Sequence, residues 1–192
     1  MRKPVFLLSL LIAATAAGAA LPPSSTDWKA KVDEEMPLLG HRNWILVADS
    51  AYPLQVSPGI ETIETDAPQT EVVQYVLKAI GRSIHVRPEI FLDTELPFVP
   101  DEDAPGASAY RRQIAEVLRG YSVESRPHEK LIAQMGEAGQ AFRVLVLKTN
   151  LTVPYSSVFI RLNCRYWPSA AEARLRARID AASSGSNAQS PH

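Results

Sequence analysis

The stretch Gly40-His41-Arg42-Asn43-Trp44-Ile45-Leu46-Val47-Ala48-Asp49-Ser50 carries a continuous apolar run, Trp44 to Ala48, between two polar flanks. A run without alternation is the pattern of a strand buried on both faces, because a strand with one wet face alternates apolar and polar residues. Helices must then cover it on each side, so these five residues predict a layered α/β sheet.

Outward from this strand, periodicity fills in the other elements. On its N-terminal side, 27–37 reads as a helix capped by Thr26 or Asp27 and ended near Pro37. On its C-terminal side, Ile60-Glu61-Thr62-Ile63-Glu64-Thr65 alternates and predicts a half-exposed strand, while 69–82 carries Val72, Val73, Val76, Leu77 and Ile80 at helical spacing. Residues 84–92 read as a strand that Pro88 interrupts or ends, 97–106 as an acidic, proline-rich loop, and 107–118 as a helix. Ser122-Val123-Glu124-Ser125 fits a short strand, and a helix opens at Pro127, a residue favoured in the first turn. The runs 142–148 and 158–162 are strands, separated by a loop that holds Pro154-Tyr155-Ser156-Ser157. Ala170 to Ile179 is a basic helix, and the last dozen residues, polar and rich in Ser and Asn, read as a disordered tail.

Composition excludes several classes of function. The formal net charge is −1, with neither sign clustered through the core region, which argues against a nucleic-acid surface or a polybasic membrane patch. Residues 1–19 have the three parts of a secretory signal: Arg2 and Lys3, the apolar run Val5 to Ala17, and the small residues Ala17-Gly18-Ala19. Cleavage is expected near Ala20, giving a periplasmic or secreted protein. That run is short for a bilayer, which takes about 20 strongly apolar residues, so no stable membrane span is expected. Cys164 is the only cysteine, so no internal disulfide can staple the fold. The chain divides into a signal at 1–19, a linker and N-terminal helix at 20–36, a domain at 37–168, and a C-terminal helix and tail at 169–192.

No metal-ligand spacing, phosphate-cradling glycine loop or Gly-x-Ser-x-Gly elbow is present, and neither a metal nor a cofactor is expected. What remains is a set of His, Asp and Tyr residues suited to proton transfer. His41 and Asp49 bracket the buried strand at its two ends, and spacing alone makes His41 no more than a loop histidine after a turn glycine. His85, inside an apolar segment, reads as structural, and Cys164 as an inert thiol.

The segment Leu39-Gly40-His41-Arg42-Asn43-Trp44-Ile45-Leu46-Val47-Ala48-Asp49-Ser50-Ala51-Tyr52-Pro53 resembles the N-terminal signature of the D-ribose pyranase and L-fucose mutarotase family (RbsD/FucU), in which Gly-His precedes an apolar strand ending in Asp-Ala. Further blocks follow in family order: Arg126-Pro127-His128-Glu129, Gln140-Ala141-Phe142-Arg143-Val144, and Pro154-Tyr155-Ser156-Ser157-Val158-Phe159-Ile160. The resemblance implies a three-layer α/β/α RbsD-like fold with a mixed sheet. It also implies cofactor-free interconversion of the ring or anomeric forms of a monosaccharide such as fucose or ribose. The implied assembly is a homo-oligomeric ring, pentameric or decameric in type, whose adjacent subunits share site residues. By position it makes His41 the catalytic acid/base and Asp49, His128, Tyr155 and Ser157 the sugar-binding residues.

Three departures stand out. Asn43 occupies the position of an acidic residue, Ser157 that of an Asn, and Ile132 that of a basic residue found in some ribose-type members. These changes remove charge and shorten a hydrogen-bonding reach, which keeps a second reading open: a catalytically weakened sugar-binding or scaffold protein of the same fold.

Overall fold

A computed structural model describes residues 27–187, so the expected leader at 1–19 and the linker up to 26 lie outside the described residues, as do 188–192. Strand β1 (Trp44–Ala48) is buried at every position. It runs parallel to β5 (Val144–Lys148) on one side and antiparallel to β6 (Val158–Cys164) on the other. Beyond β5 lies β2 (Ile60–Glu64), half-exposed as its alternation requires. Beyond β6 lie β3 (Val86–Asp93) and then β4 (Val123–Arg126) at the edge. The order is β2-β5-β1-β6-β3-β4, a mixed sheet in which β6 alone runs against the rest.

Successive side chains of a strand point to opposite faces, and β1 shows what that demands. Ile45 and Val47 enter one core with Val32 of helix α1 (Trp28–Glu35), Val73 and Val76 of α2 (Gln69–Arg82) and Ile114 of α3 (Ala107–Val117). Trp44, Leu46 and Ala48 enter a second core with Leu131 and Met135 of α4 (His128–Ala141). The layers are thus α1, α2 and α3, the sheet, and α4. The missing alternation in the sequence is the mark of having no wet face.

At the start of α1 the cap is Asp27, whose carboxylate accepts the N–H groups of Lys29 and Ala30 at 3.1 Å each. Two other readings need correction. Pro88 does not interrupt β3, which runs through it. Its partner Leu162 donates its N–H to Asn43 O at 2.9 Å and accepts from Arg42 N at 3.0 Å, so the polar groups of Leu162 face β1. Pro88 therefore sits at a non-hydrogen-bonded position, with its nitrogen toward an edge left open because β4 pairs only from Ile90 onward. Helix α5 (Ser169–Asn187) continues through 181–187, which belong to the last dozen residues read from their composition as tail, and is mostly exposed over 169–183. Among the described residues, no helix is long and apolar enough to cross a membrane.

Helix α4 is clamped to the sheet where β2 begins. Gly59 donates its N–H to Gly139 O of α4 at 2.8 Å and accepts from Val144 N at 2.9 Å. A Cβ on Gly59 would overlap Phe142 O and stand 2.7 Å from Gly139 O, whereas one on Gly136 meets nothing within 4 Å. Gly59→Ala is expected to cost about 3 kcal/mol in urea unfolding. Gly136→Ala should be neutral or stabilise by up to about 1 kcal/mol.

Candidate functional site

The end of β1 delivers Asp49 to the surface. One of its carboxylate oxygens accepts the Ala51 N–H at 2.9 Å, and the other lies 3.4 Å from the Ser157 hydroxyl. Ser157 is fully buried, so it supports the carboxylate from behind. Beneath the 153–157 loop, Ser156 O accepts from Gln69 Nε2 at 2.5 Å and from the Tyr110 hydroxyl at 2.6 Å. The Ser156 hydroxyl donates in turn to Val153 O at 2.6 Å. Burial pushes the Tyr110 phenol upward, which keeps it a donor. Pinned in this way, the loop holds Tyr155 in the left-handed region at φ 55°, a conformation unusual for a bulky residue. Its ring stays 40% exposed and meets the His128 ring edge-on, with centroids 5.2 Å apart.

His128 is the first residue of α4, and Pro127, placed in the first turn from sequence, is instead the cap residue, with no side-chain bond to offer. The cap comes from a distance. Both carboxylate oxygens of Glu95, just past β3, accept the His128 N–H at 3.1 Å, the placement that suits an anion at a helix N-terminus. Burial pushes the Glu95 carboxyl up, but bonds led by that N–H hold it below its ordinary value. Asp93, the last residue of β3 and 1% exposed, contacts His128 Nδ1 with its Oδ2 at 3.1 Å. An ionised carboxylate only accepts, so the proton of a neutral His128 sits on Nδ1 and Nε2 is available to a ligand. The other Asp93 oxygen is buried with no partner among the described residues.

Asp49, Tyr52, His128, Thr152 and Tyr155 line a cleft of about 390 Å³, within the range of small-molecule sites. Among the described residues, no group of three or more His, Cys, Asp or Glu is placed to hold a metal.

His41 is elsewhere. It occupies the turn before β1, so the whole strand, roughly 16 Å of extended chain, separates it from Asp49. There it lines a different hollow of about 420 Å³ with Trp44, Gln134, Arg161 and Asn163. Asn43 builds this turn, accepting the Gly40 N–H at 2.7 Å and donating to Arg143 O at 3.3 Å. Ile132 packs against the α4-side core. His85 is structural, its ring nitrogens lying 3.0 Å from Leu39 O and 2.8 Å from the Ser83 hydroxyl.

One chain thus brings Asp49, His128 and Tyr155 together, with Ser157 behind Asp49, and leaves His41 at the far end of the strand. Sequence reasoning missed Asp93 and Glu95. Their only local signal is the acidic pair that closes the apolar run Ile90-Phe91-Leu92.

Burial, outweighing the attraction of His128, pushes the Asp93 carboxyl from its ordinary 3.8 up to about 6. Between those values the folded state binds the extra proton, so this carboxyl's contribution to stability falls as pH rises through the window. Relative to the unaltered protein, Asp93→Asn should gain on the order of 2 kcal/mol between pH ~4 and ~7. Urea unfolding across that range checks it, and a difference that does not change with pH would contradict it.

No family model and no curated protein matches the sequence. Among solved structures, the chain is similar to RbsD from Bacillus subtilis complexed with D-ribose, at 12% identity and a TM-score of 0.50 over 69% of this chain and 90% of that one. It is also similar to FucU from Bifidobacterium longum, at 16% identity and a TM-score of 0.47 over 69% and 92%. A third similar structure is the fucose mutarotase from Streptococcus pneumoniae complexed with L-fucose, at 20% identity and a TM-score of 0.45 over 67% and 87%. With its three layers, its mixed six-stranded sheet and the likeness to the RbsD structure, the chain has the RbsD-like α/β fold.

Proposed function

We propose that this chain is an exported monosaccharide mutarotase or pyranase that interconverts sugar ring or anomeric forms by proton transfer alone. The observation that carries this reading is the convergence of Asp49, His128 and Tyr155 on one small cleft, with the imidazole braced by a buried carboxylate. The likeness to an RbsD structure holding D-ribose supports a monosaccharide as the ligand.

Opening a cyclic hemiacetal takes a proton from the anomeric hydroxyl and returns one to the ring oxygen. A positioned imidazole serves in either role, and the proton balance closes without a metal or a cofactor. In this reading Asp49 accepts from sugar hydroxyls, Tyr155 grips another, and His128 completes the pocket. His41 is the proton donor or acceptor. Since it stands the length of β1 from Asp49 in its own chain, it acts on a sugar held by another copy, and the working unit is a homo-oligomer.

Saturation-transfer NMR on ribose, fucose, galactose, glucose and rhamnose tests this. The unaltered protein should accelerate exchange of at least one sugar. His41→Ala and Asp49→Asn should each lower that rate about 100-fold without loss of fold. Mixing the two variants under conditions that reshuffle subunits should restore exchange, because a complete site re-forms between unlike chains. Undiminished exchange in His41→Ala would overturn the role of His41. Sugar binding without exchange in the unaltered protein would instead favour the sugar-binding scaffold.

A further inference from the structure

We infer that Asn163 and Glu89 are positioning residues that lock His41 with its proton on Nδ1, leaving Nε2 as the basic nitrogen. The inference rests on the reading of His41 as the acid/base group. Glu89 of β3 and Asn163 of β6 stand on neighbouring strands, in register with Arg161 and Arg87 respectively. Arg161 donates its Nε–H to Glu89 Oε2 at 2.7 Å, and Arg87 lies 3.6 Å from Oε1. The Arg161 guanidinium is itself held over the rings of Phe91 and Trp44, at 5.6 and 5.9 Å. Burial pushes the Glu89 carboxyl up, but Asn163 and Arg161 hold it below its ordinary value, so it is a carboxylate at neutral pH.

From there each step is forced by what the groups can donate. A carboxylate cannot donate, so the Asn163 atom 2.5 Å from Glu89 Oε1 is the amide nitrogen. Asn163 Oδ1 then points the other way, where it accepts the Cys164 N–H at 2.7 Å and faces His41 Nδ1 at 2.9 Å. An amide oxygen cannot donate either, so Nδ1 carries the hydrogen. This is the minor neutral form of an unrestrained histidine. A solvent-exposed turn residue does not need such a chain of support to fold.

The direct readout is the imidazole 15N spectrum of the uniformly labelled full chain. His41 should show Nδ1–H in the unaltered protein at a pH where the ring is neutral. Asn163→Ala should convert it to a mixture dominated by Nε2–H. Glu89→Gln removes one of the two groups that orient the amide, the Cys164 N–H being the other, and should raise the Nε2–H share by less than Asn163→Ala does. In exchange assays Asn163→Ala should lower kcat about tenfold and leave KM within about twofold. An Nε2–H signature in the unaltered protein overturns the inference, as does an unchanged signature in folded Asn163→Ala. If that variant fails to fold, the unaltered spectrum and Glu89→Gln decide. A protein that exchanges no sugar sinks the functional reading, whereas the tautomer result separately decides the lock.

Discussion

The structure depends on the burial of β1 on both faces. With β5 and β6 on its flanks and helices above and below, all five of its positions are buried. A polar side chain there would lose its hydration without gaining a partner. Chemistry is therefore expelled to the two ends of the strand, where the sheet's hydrogen bonding stops and loops begin. His41 and Asp49 are the residues found there, and their separation follows from the same constraint that makes the core.

The end that carries Asp49 is held by a buried polar network. Gln69, Tyr110, Thr149 and Ser156 are each 3% exposed or less, and each has partners within the set or on adjacent backbone. Satisfied in this way they cost little and leave the loop above them few alternatives. That rigidity makes the backbone of Tyr155 tolerable. A strained residue persists only where its surroundings over-determine it, and here the neighbouring residue is clamped by two donors. The unpartnered Asp93 oxygen is the counterpart in side-chain terms, a desolvated acceptor kept beside an imidazole rather than replaced by an apolar group.

What was legible in the sequence was what periodicity encodes. The run Trp44 to Ala48, the alternation after Ile60 and the helical spacing of 69–82 each depend on neighbours along the chain, and each element appears where its pattern put it. Pro88 defeated that reading because a proline's effect depends on which way its nitrogen faces, a property of the pairing register. Helix α5 defeated it because composition says little about a solvent-exposed helix with few packing partners. For the candidate site the limit is of the same kind. Tyr155 and His128 were legible as blocks of a family resemblance, but Asp93 lies 35 residues from His128 and the β3–β4 pairing, which sets Asp93 opposite Arg126, brings the two into range. Asn43 and Ser157 looked like losses at a ligand, whereas one shapes the turn before β1 and the other supports Asp49 from behind.

The two histidines at opposite ends of the molecule are held by the same logic. His128 Nδ1 faces the carboxylate of Asp93 directly, and His41 Nδ1 faces that of Glu89 through one amide. Both carboxylates come from β3, the strand that reaches both ends of the sheet beside β6. Orienting an imidazole and fixing its tautomer carries an entropic cost that otherwise falls on the reaction itself. Here that cost is met during folding, as part of strand pairing that would form in any case. Under the proposed function, a sugar arriving in the cleft would meet groups already aimed, and the proximity of His41, missing within one chain, would have to come from the arrangement of copies.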